Sequence, residues 1–130
     1  MADLIIPPDP ILRARAYLAA QGVGNVQGGV PAGWAWDEPL VVLRDAGGSG
    51  EYSRVLFESR LSVEASAPTR PEASSLARRV LALLRAWEDR EGGVYWRGQL
   101  GNPAYFPDDE TGTPLYTFAI QVAIRGDPEP

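Results

Sequence analysis

The chain contains no cysteine, no histidine and no lysine. The first absence excludes disulfides, thiol nucleophiles and a zinc-finger site. The second removes the commonest general base and the commonest metal ligand. Without histidine or lysine, neither a Ser-His-Asp set nor its serine–lysine variant can be assembled. Also missing is any run near the roughly 20 apolar residues that a helix needs to span a bilayer. The first eight residues, Met1 to Pro8, place no basic region ahead of their apolar residues, unlike an export signal.

What remains is a chain of 130 residues with net charge −5 and a 45% hydrophobic fraction. That length supports one domain over residues 1–130 with a single core. Segments 1–8 and 127–130 read as extended termini. The acidic balance argues against tight binding to a phosphate backbone, which needs clustered cations. All 12 basic residues are arginine, and with abundant Ala, Gly and Pro this is the composition of a GC-rich genome.

Thr69 to Glu91 carries the strongest pattern and reads as a helix of about six turns. Ala73, Leu76, Ala77, Val80, Leu81, Leu84 and Trp87 recur at three- and four-residue steps on one face. Ser75, Arg78, Ala82, Arg85 and Asp89 fall opposite. Thr69 with Glu72 forms a capping-box pattern, Pro71 sits in the first turn, and Gly92-Gly93 supply a stop. A shorter helix starts at Asp9-Pro10, carries Ile11, Leu12, Arg15, Leu18 and Ala19, and ends before Gly22.

Residues 22–39 read as an irregular connection, with room for a brief edge strand within Val26 to Pro31. Trp34 and Trp36 read as caps on the core or as a pair facing a neighbouring subunit, in preference to an aromatic ligand platform. Leu40 to Leu43 is a strand, and Asp45 to Glu51 a flexible hairpin tip. From Val55 to Ala65 the residues alternate with period two, as in a half-buried strand antiparallel to the one before. Val94 to Leu100 gives a third strand, residues 101–114 a long loop, and Leu115 to Arg125 the cleanest alternation of all. Tyr116, Phe118, Ile120, Val122 and Ile124 share one face of that last strand; small and polar residues take the other. The expected fold class is α+β: an antiparallel sheet of about four strands, two helices on one face, in the order α-β-β-α-β-β.

Catalytic readings fare poorly. Asp108, Asp109 and Glu110 have oxygen ligands for a hard cation, but their spacing is not that of an EF-hand, and a solvated turn is the better reading. Glu58 and Glu64 share a strand face about 20 Å apart, beyond the roughly 9.5 Å limit for a glycosidase pair. Arg78-Arg79 reads as a solvated helix face, not a nucleic-acid contact. The chain is therefore expected to be no enzyme and to need no cofactor or metal.

The stretches TRPEASSLARRVLALL (Thr69 to Leu84) and GVYWRGQLGNPAYFPDDETGTPLYTFAIQVAIRG (Gly93 to Gly126) resemble tail terminator (tail completion) proteins of long-tailed, siphovirus-type phages, especially those of actinobacteria. The order VPAGW, PLVVLRDAGGSG, SRVLFESRLSVEA ahead of them is similar to that family too. The resemblance runs from about Pro8 to Gly126, and its most specific part is the proline, acidic turn, Thr-Gly-Thr-Pro, aromatic strand and Arg-Gly end. Residues 22–39 depart from the pattern.

The resemblance implies a structural virion protein made in the host cytoplasm. It would form a homo-hexameric ring in the phage neck, at the head-proximal end of the tail. Such a ring ends polymerisation of the major tail tube protein and meets the head–tail connector or stopper protein. DNA passes through the lumen without specific binding, which an acidic chain favours by repelling phosphates, and no membrane is involved. The sheets are expected to line the lumen and the helices to face outward. Candidate contacts between subunits or along the tail axis are Gly47, Gly48, Ser49, Gly50 and Glu51 at the tip, with Tyr105, Phe106, Asp108, Asp109 and Glu110 in the loop. Alternatives are another neck component (a connector or stopper) or a cellular small-molecule-binding α+β domain with a closed apolar pocket under its sheet.

Overall fold

A computed structural model describes residues 4–48, 50–51 and 53–129. After a two-residue strand, β1 (Ile5–Ile6), Asp9 caps helix α1 (Pro10–Ala20). Its Oδ1 accepts from the amides of Ile11 and Leu12, both at 3.1 Å, so two of the orphan donors of the first turn are satisfied. A short β2 (Val26–Gln27) precedes β3 (Leu40–Asp45), β4 (Gly50–Glu51) and the long β5 (Leu56–Ser66). Then come α2 (Arg70–Arg85), α3 (Trp87–Arg90), β6 (Val94–Gln99), β7 (Ala104–Tyr105), β8 (Leu115–Arg125) and β9 (Asp127–Pro128).

Among the described residues the architecture is α+β, with three helices and a mixed sheet of seven strands whose main path runs β2-β3-β5-β8-β6. The short β4 adds to β5, and β7 adds to β8. This corrects the expected four-stranded antiparallel sheet. The four long strands are where the alternation puts them. The added ones are two-residue pieces, too short to leave a periodic trace. One of them, β2, runs parallel to β3, with Val26 opposite Val41. A ribbon of β1 and β9 pairs the two ends of the chain, Ile5 with Pro128 and Ile6 with Asp127.

The two 11-residue strands, β5 and β8, form the spine, paired without a break from Leu56–Arg125 to Ser66–Leu115. Side chains alternate across a strand, so Leu61, Val63 and Ala65 share one face with Phe118, Ile120 and Val122. All six are buried in the core. Helix α1 lies over β3, α2 over β5 and β8, and α3 against β6. The opposite face of the two central strands carries Glu58, Arg60, Ser62, Glu64, Thr117, Ala119 and Gln121.

The second helix is also corrected. It does not run to Glu91 but breaks at Ala86 (φ −86°, ψ −3°), and a separate turn begins at Trp87. Trp87 is fully buried, stacks on Tyr17 at 5.3 Å between ring centroids, and gives its indole N–H to Glu91. The Tyr17 hydroxyl donates to the Leu83 carbonyl at 2.5 Å, in the last turn before the break. Fitting the largest side chain of the core against α1 thus coincides with the loss of helical phase.

At the other end, Thr69 Oγ1 accepts from the Glu72 amide at 3.4 Å and donates to the Glu72 carboxylate at 2.9 Å. The cap is as expected, except that the carboxylate takes the hydroxyl and not the Thr69 amide. Thr69→Ala is expected to lower stability by about 1 kcal/mol, seen as a lower urea midpoint with an unchanged m value.

Candidate functional site

The glycine-rich stretch is not the hairpin tip. Gly47 lies beside β5: its carbonyl accepts from Arg60 at 3.1 Å, while the Asp45 carboxylate holds its amide at 2.8 Å. Gly50 and Glu51 pair with Glu58 and Phe57. Between these pairings the register with β5 slips by two residues, from Asp45–Leu61 to Gly50–Glu58, so the stretch is a bulge within the strand. Gly48 needs its residue type, for at φ +113° an added Cβ would stand 2.8 Å from the Glu58 carbonyl. Ser49 lies outside the described residues. The turn itself comes later, closed by Ser53, whose Oγ accepts from the Leu56 amide at 3.1 Å.

The second candidate segment divides in two. Tyr105 belongs to β7 and sits opposite Tyr116 on the helix-covered side. Phe106 is 64% exposed. With Pro107, Asp108 and Asp109 it rims a hollow of about 240 Å³ shared with Glu64, Leu115 and Thr117, so the loop folds back over one end of the open sheet face. Along β5 the bulge pairs at residues 57–58 and this loop lies near residue 64. The two candidate segments therefore sit roughly 13–20 Å apart along β5, at about 3.3 Å per residue, and do not form one site.

Asp108 is committed to the turn. Its Oδ2 accepts from the amides of Glu110 (3.2 Å) and Thr111 (2.9 Å) and from the Thr111 hydroxyl (2.8 Å). Those Thr111 bonds hold the carboxyl below its ordinary range. Such a group supports the turn above its unfolded pKa of about 3.9, and the support goes as pH falls through the lowered value. The amides of Glu110 and Thr111 are therefore expected to keep their hydrogen-exchange protection down to pH 4 and lose it below. Asp108→Ala should abolish that protection at pH 7. Asp109 and Glu110 are exposed. Among the described residues, no three of the acidic side chains are grouped to hold a metal ion.

The open sheet face is polar and partly self-neutralised. Arg44 pairs with Glu64 at 2.7 Å and Arg97 with Glu58 at 3.1 Å, and Gln121 donates to the second Glu58 oxygen at 2.8 Å. Arg60 and Arg125 stand on the same face without a carboxylate partner among the described residues. The acidity of the chain is thus carried elsewhere.

A third region escaped the sequence reading. Arg70 stacks over the Tyr105 ring at 4.0 Å and donates to the Tyr116 hydroxyl at 3.0 Å. Tyr105 and Tyr116 are 5.3 Å apart, and Arg85 stands 6.0 Å above Trp96. Arg70, with Ser74 and Arg78, draws the Tyr116 phenol below its ordinary pKa. Residues 70, 74, 78, 81 and 85 follow helical spacing, so α2 turns an arginine-rich stripe toward the β6–β7 edge. Arg78, Leu81, Ala82 and Arg85 line an open depression of about 360 Å³ there. The spacing was visible in the sequence; that aromatics from β6, β7 and β8 would face it was not.

At the opposite edge, the connection from β2 to β3 holds Trp34 and Trp36. The Trp34 indole nitrogen is buried and has no acceptor among the described residues. Trp36 has a left-handed φ of +62°, unusual for a residue other than glycine.

No protein-family model matches the chain, and no curated protein matches it. No helix among the described residues is long and apolar enough to cross a membrane.

Proposed function

We propose that this chain is a structural virion protein of the tail terminator kind. On this reading it closes into a homo-hexameric ring at the head-proximal end of a long phage tail and stops growth of the tail tube. It also presents a surface to the connector or stopper above. The observation that carries the reading is a broad sheet whose face away from the helices is polar along β5 and β8, and whose outermost strands among the described residues are β2 and β6. Free edges must be covered or used, and head-to-tail pairing of identical subunits uses both at once. The resemblance from Pro8 to Gly126 supplies the identity of the assembly.

The ring places the open face toward the lumen and the helices outward. DNA then passes a surface on which Arg44 and Arg97 are neutralised by Glu64 and Glu58. Arg60 and Arg125 are the positions where that face would touch phosphates, which sets a weak and salt-sensitive drag. Phe106, Asp109 and Glu110 project from one end of the sheet as contacts along the tail axis; the bulge at Gly47 to Glu51 lies toward the other end.

A cellular ligand-binding domain is supported less well. The hollow between Val23, Asn25, Leu40, Leu76 and Arg79 holds about 270 Å³, below the roughly 300–1,000 Å³ of typical ligand sites. The larger depression of about 360 Å³ at Arg78, Leu81, Ala82 and Arg85 lies on the outer surface of α2, not in a closed pocket under the sheet.

The test is a length assay. Purified protein is added to tail tube protein of the same virus while it polymerises, and tubes are measured by electron microscopy. Tubes of arrested length with a ring at one end are expected. Unaltered growth would contradict the reading, and a ring found only at the portal would transfer the chain to the connector or stopper class.

A further inference from the structure

The two edges of the sheet differ in charge. On the β6–β7 side, Arg70, Arg78 and Arg85 line one stripe of α2, and none of them has a carboxylate partner among the described residues. The stripe runs the 16 residues of α2, about 22 Å from end to end at 1.5 Å per residue. Tyr105, Tyr116 and Trp96 form its other wall. Arginines without a carboxylate partner beside aromatic rings have the chemistry to take an acidic, aromatic segment.

This chain carries such a segment on its other edge. The connection ending at β3 reads Trp34-Ala35-Trp36-Asp37-Glu38, and Asp37 and Glu38 are exposed. Among the described residues Glu38 is held by the Asn25 amide alone, at 2.8 Å, and Asp37 has no partner. The same five residues include the buried indole N–H without an acceptor and the left-handed Trp36. An unmade donor and a strained backbone are features that a second conformation, or a partner, relieves.

We propose that the arginine stripe of α2 receives the Trp34–Glu38 segment of a second copy of this chain. Asp37 and Glu38 of that copy face Arg78 and Arg85, and its Trp36 enters the depression at Leu81 and Ala82. Receptor and ligand lie at opposite edges, so each copy uses both and the contact is heterologous, the kind that closes a ring. The inference rests on the reading of the chain as a ring-forming block, and it names the residues that select the neighbour.

Because the chain has no cysteine, disulfide trapping is unambiguous. Ala35→Cys and Ala82→Cys, both at exposed positions, are made singly and together and then oxidised. The double variant is expected to give a covalent ladder ending at the ring's copy number, and each single variant to remain monomeric on a denaturing gel. No ladder, or dimers from a single variant, would overturn the proposal.

A charge swap supplies the second arm. Arg78→Glu with Arg85→Glu, and separately Asp37→Arg with Glu38→Arg, should each weaken assembly at least tenfold by native mass spectrometry at 150 mM salt. Mixing the two variants should restore rings of alternating composition. All four positions are exposed, and melting curves check that each variant folds. Rings that persist in both variants would sink the proposal and leave the ring reading standing. A wild-type chain that stays monomeric, together with a double-cysteine variant that gives no ladder, would remove both.

Discussion

Replacing Trp87 by alanine is expected to cost about 3–5 kcal/mol of folding stability. That is a large share of the roughly 5–15 kcal/mol typical of a domain. The indole is fully buried, and it joins three parts of the molecule. It stacks on Tyr17 of α1, begins the turn that follows the break in α2, and donates to Glu91. Truncation leaves a cavity where α3 packs against β6 and the Tyr17 ring of α1. Trp87→Phe keeps the stacked ring but loses the donor to Glu91, and should cost less than half as much. Urea unfolding followed by far-UV circular dichroism reads both values. Equal losses would show that the hydrogen bond, not the packed ring, holds α3 in place.

Gly48→Ala is expected to destabilise by about 1–3 kcal/mol through backbone strain and crowding. Two causes act together. The residue has φ +113°, which an L side chain rarely adopts, and a Cβ there meets the Glu58 carbonyl at 2.8 Å and the Arg60 amide at 3.0 Å. Both contacts are backbone atoms of the central strand, so neither can swing aside. Gly47→Ala makes the comparison: its φ is +86°, yet nothing lies within 4 Å of the added carbon. It therefore bears the conformational cost alone and should fall at the low end. If the two variants melt at the same temperature, the close approach of the bulge to β5 is wrong. The lower stability at Gly48 should also appear as lost exchange protection at the Arg60 amide, which donates to Gly47.

Long, strongly periodic segments were legible in the sequence, and short or paired ones were not. The alternation in β5 and β8 fixes which face is buried, because a one-residue slip would turn every apolar side chain outward. The caps at Asp9 and Thr69 are local chemistry and can be read from neighbours in the chain. By contrast, the parallel pairing of Val26 with Val41 is a long-range contact made by two residues, with nothing local to announce it. The break at Ala86 also escaped, since Trp87 continues the helical spacing and only its tertiary partner Tyr17 shows where the ring goes.

The candidate site was legible in the same uneven way. Phe106, Asp109 and Glu110 are exposed, as a loop reading requires. Asp108 instead turns inward on its own loop to hold Thr111, a role that any Asp-x-x-Thr turn can adopt. Gly47 to Gly50 looked like a tip because clustered glycines usually mark turns. Gly47 and Gly50 instead lie along β5, whose length beyond β3 is paired with the offset β4. The arginine stripe on α2 had a visible spacing, yet its meaning depends on Trp96, Tyr105 and Tyr116, which the fold brings in from three separate strands.

The most direct measurement is the mass and symmetry of the wild-type assembly, by native mass spectrometry with electron-microscopic class averages. Six copies of a 14.1 kDa chain give about 85 kDa, and the account predicts a closed sixfold ring of that mass. A particle that stays at 14.1 kDa at every concentration, with tail tube protein present or absent, would contradict it.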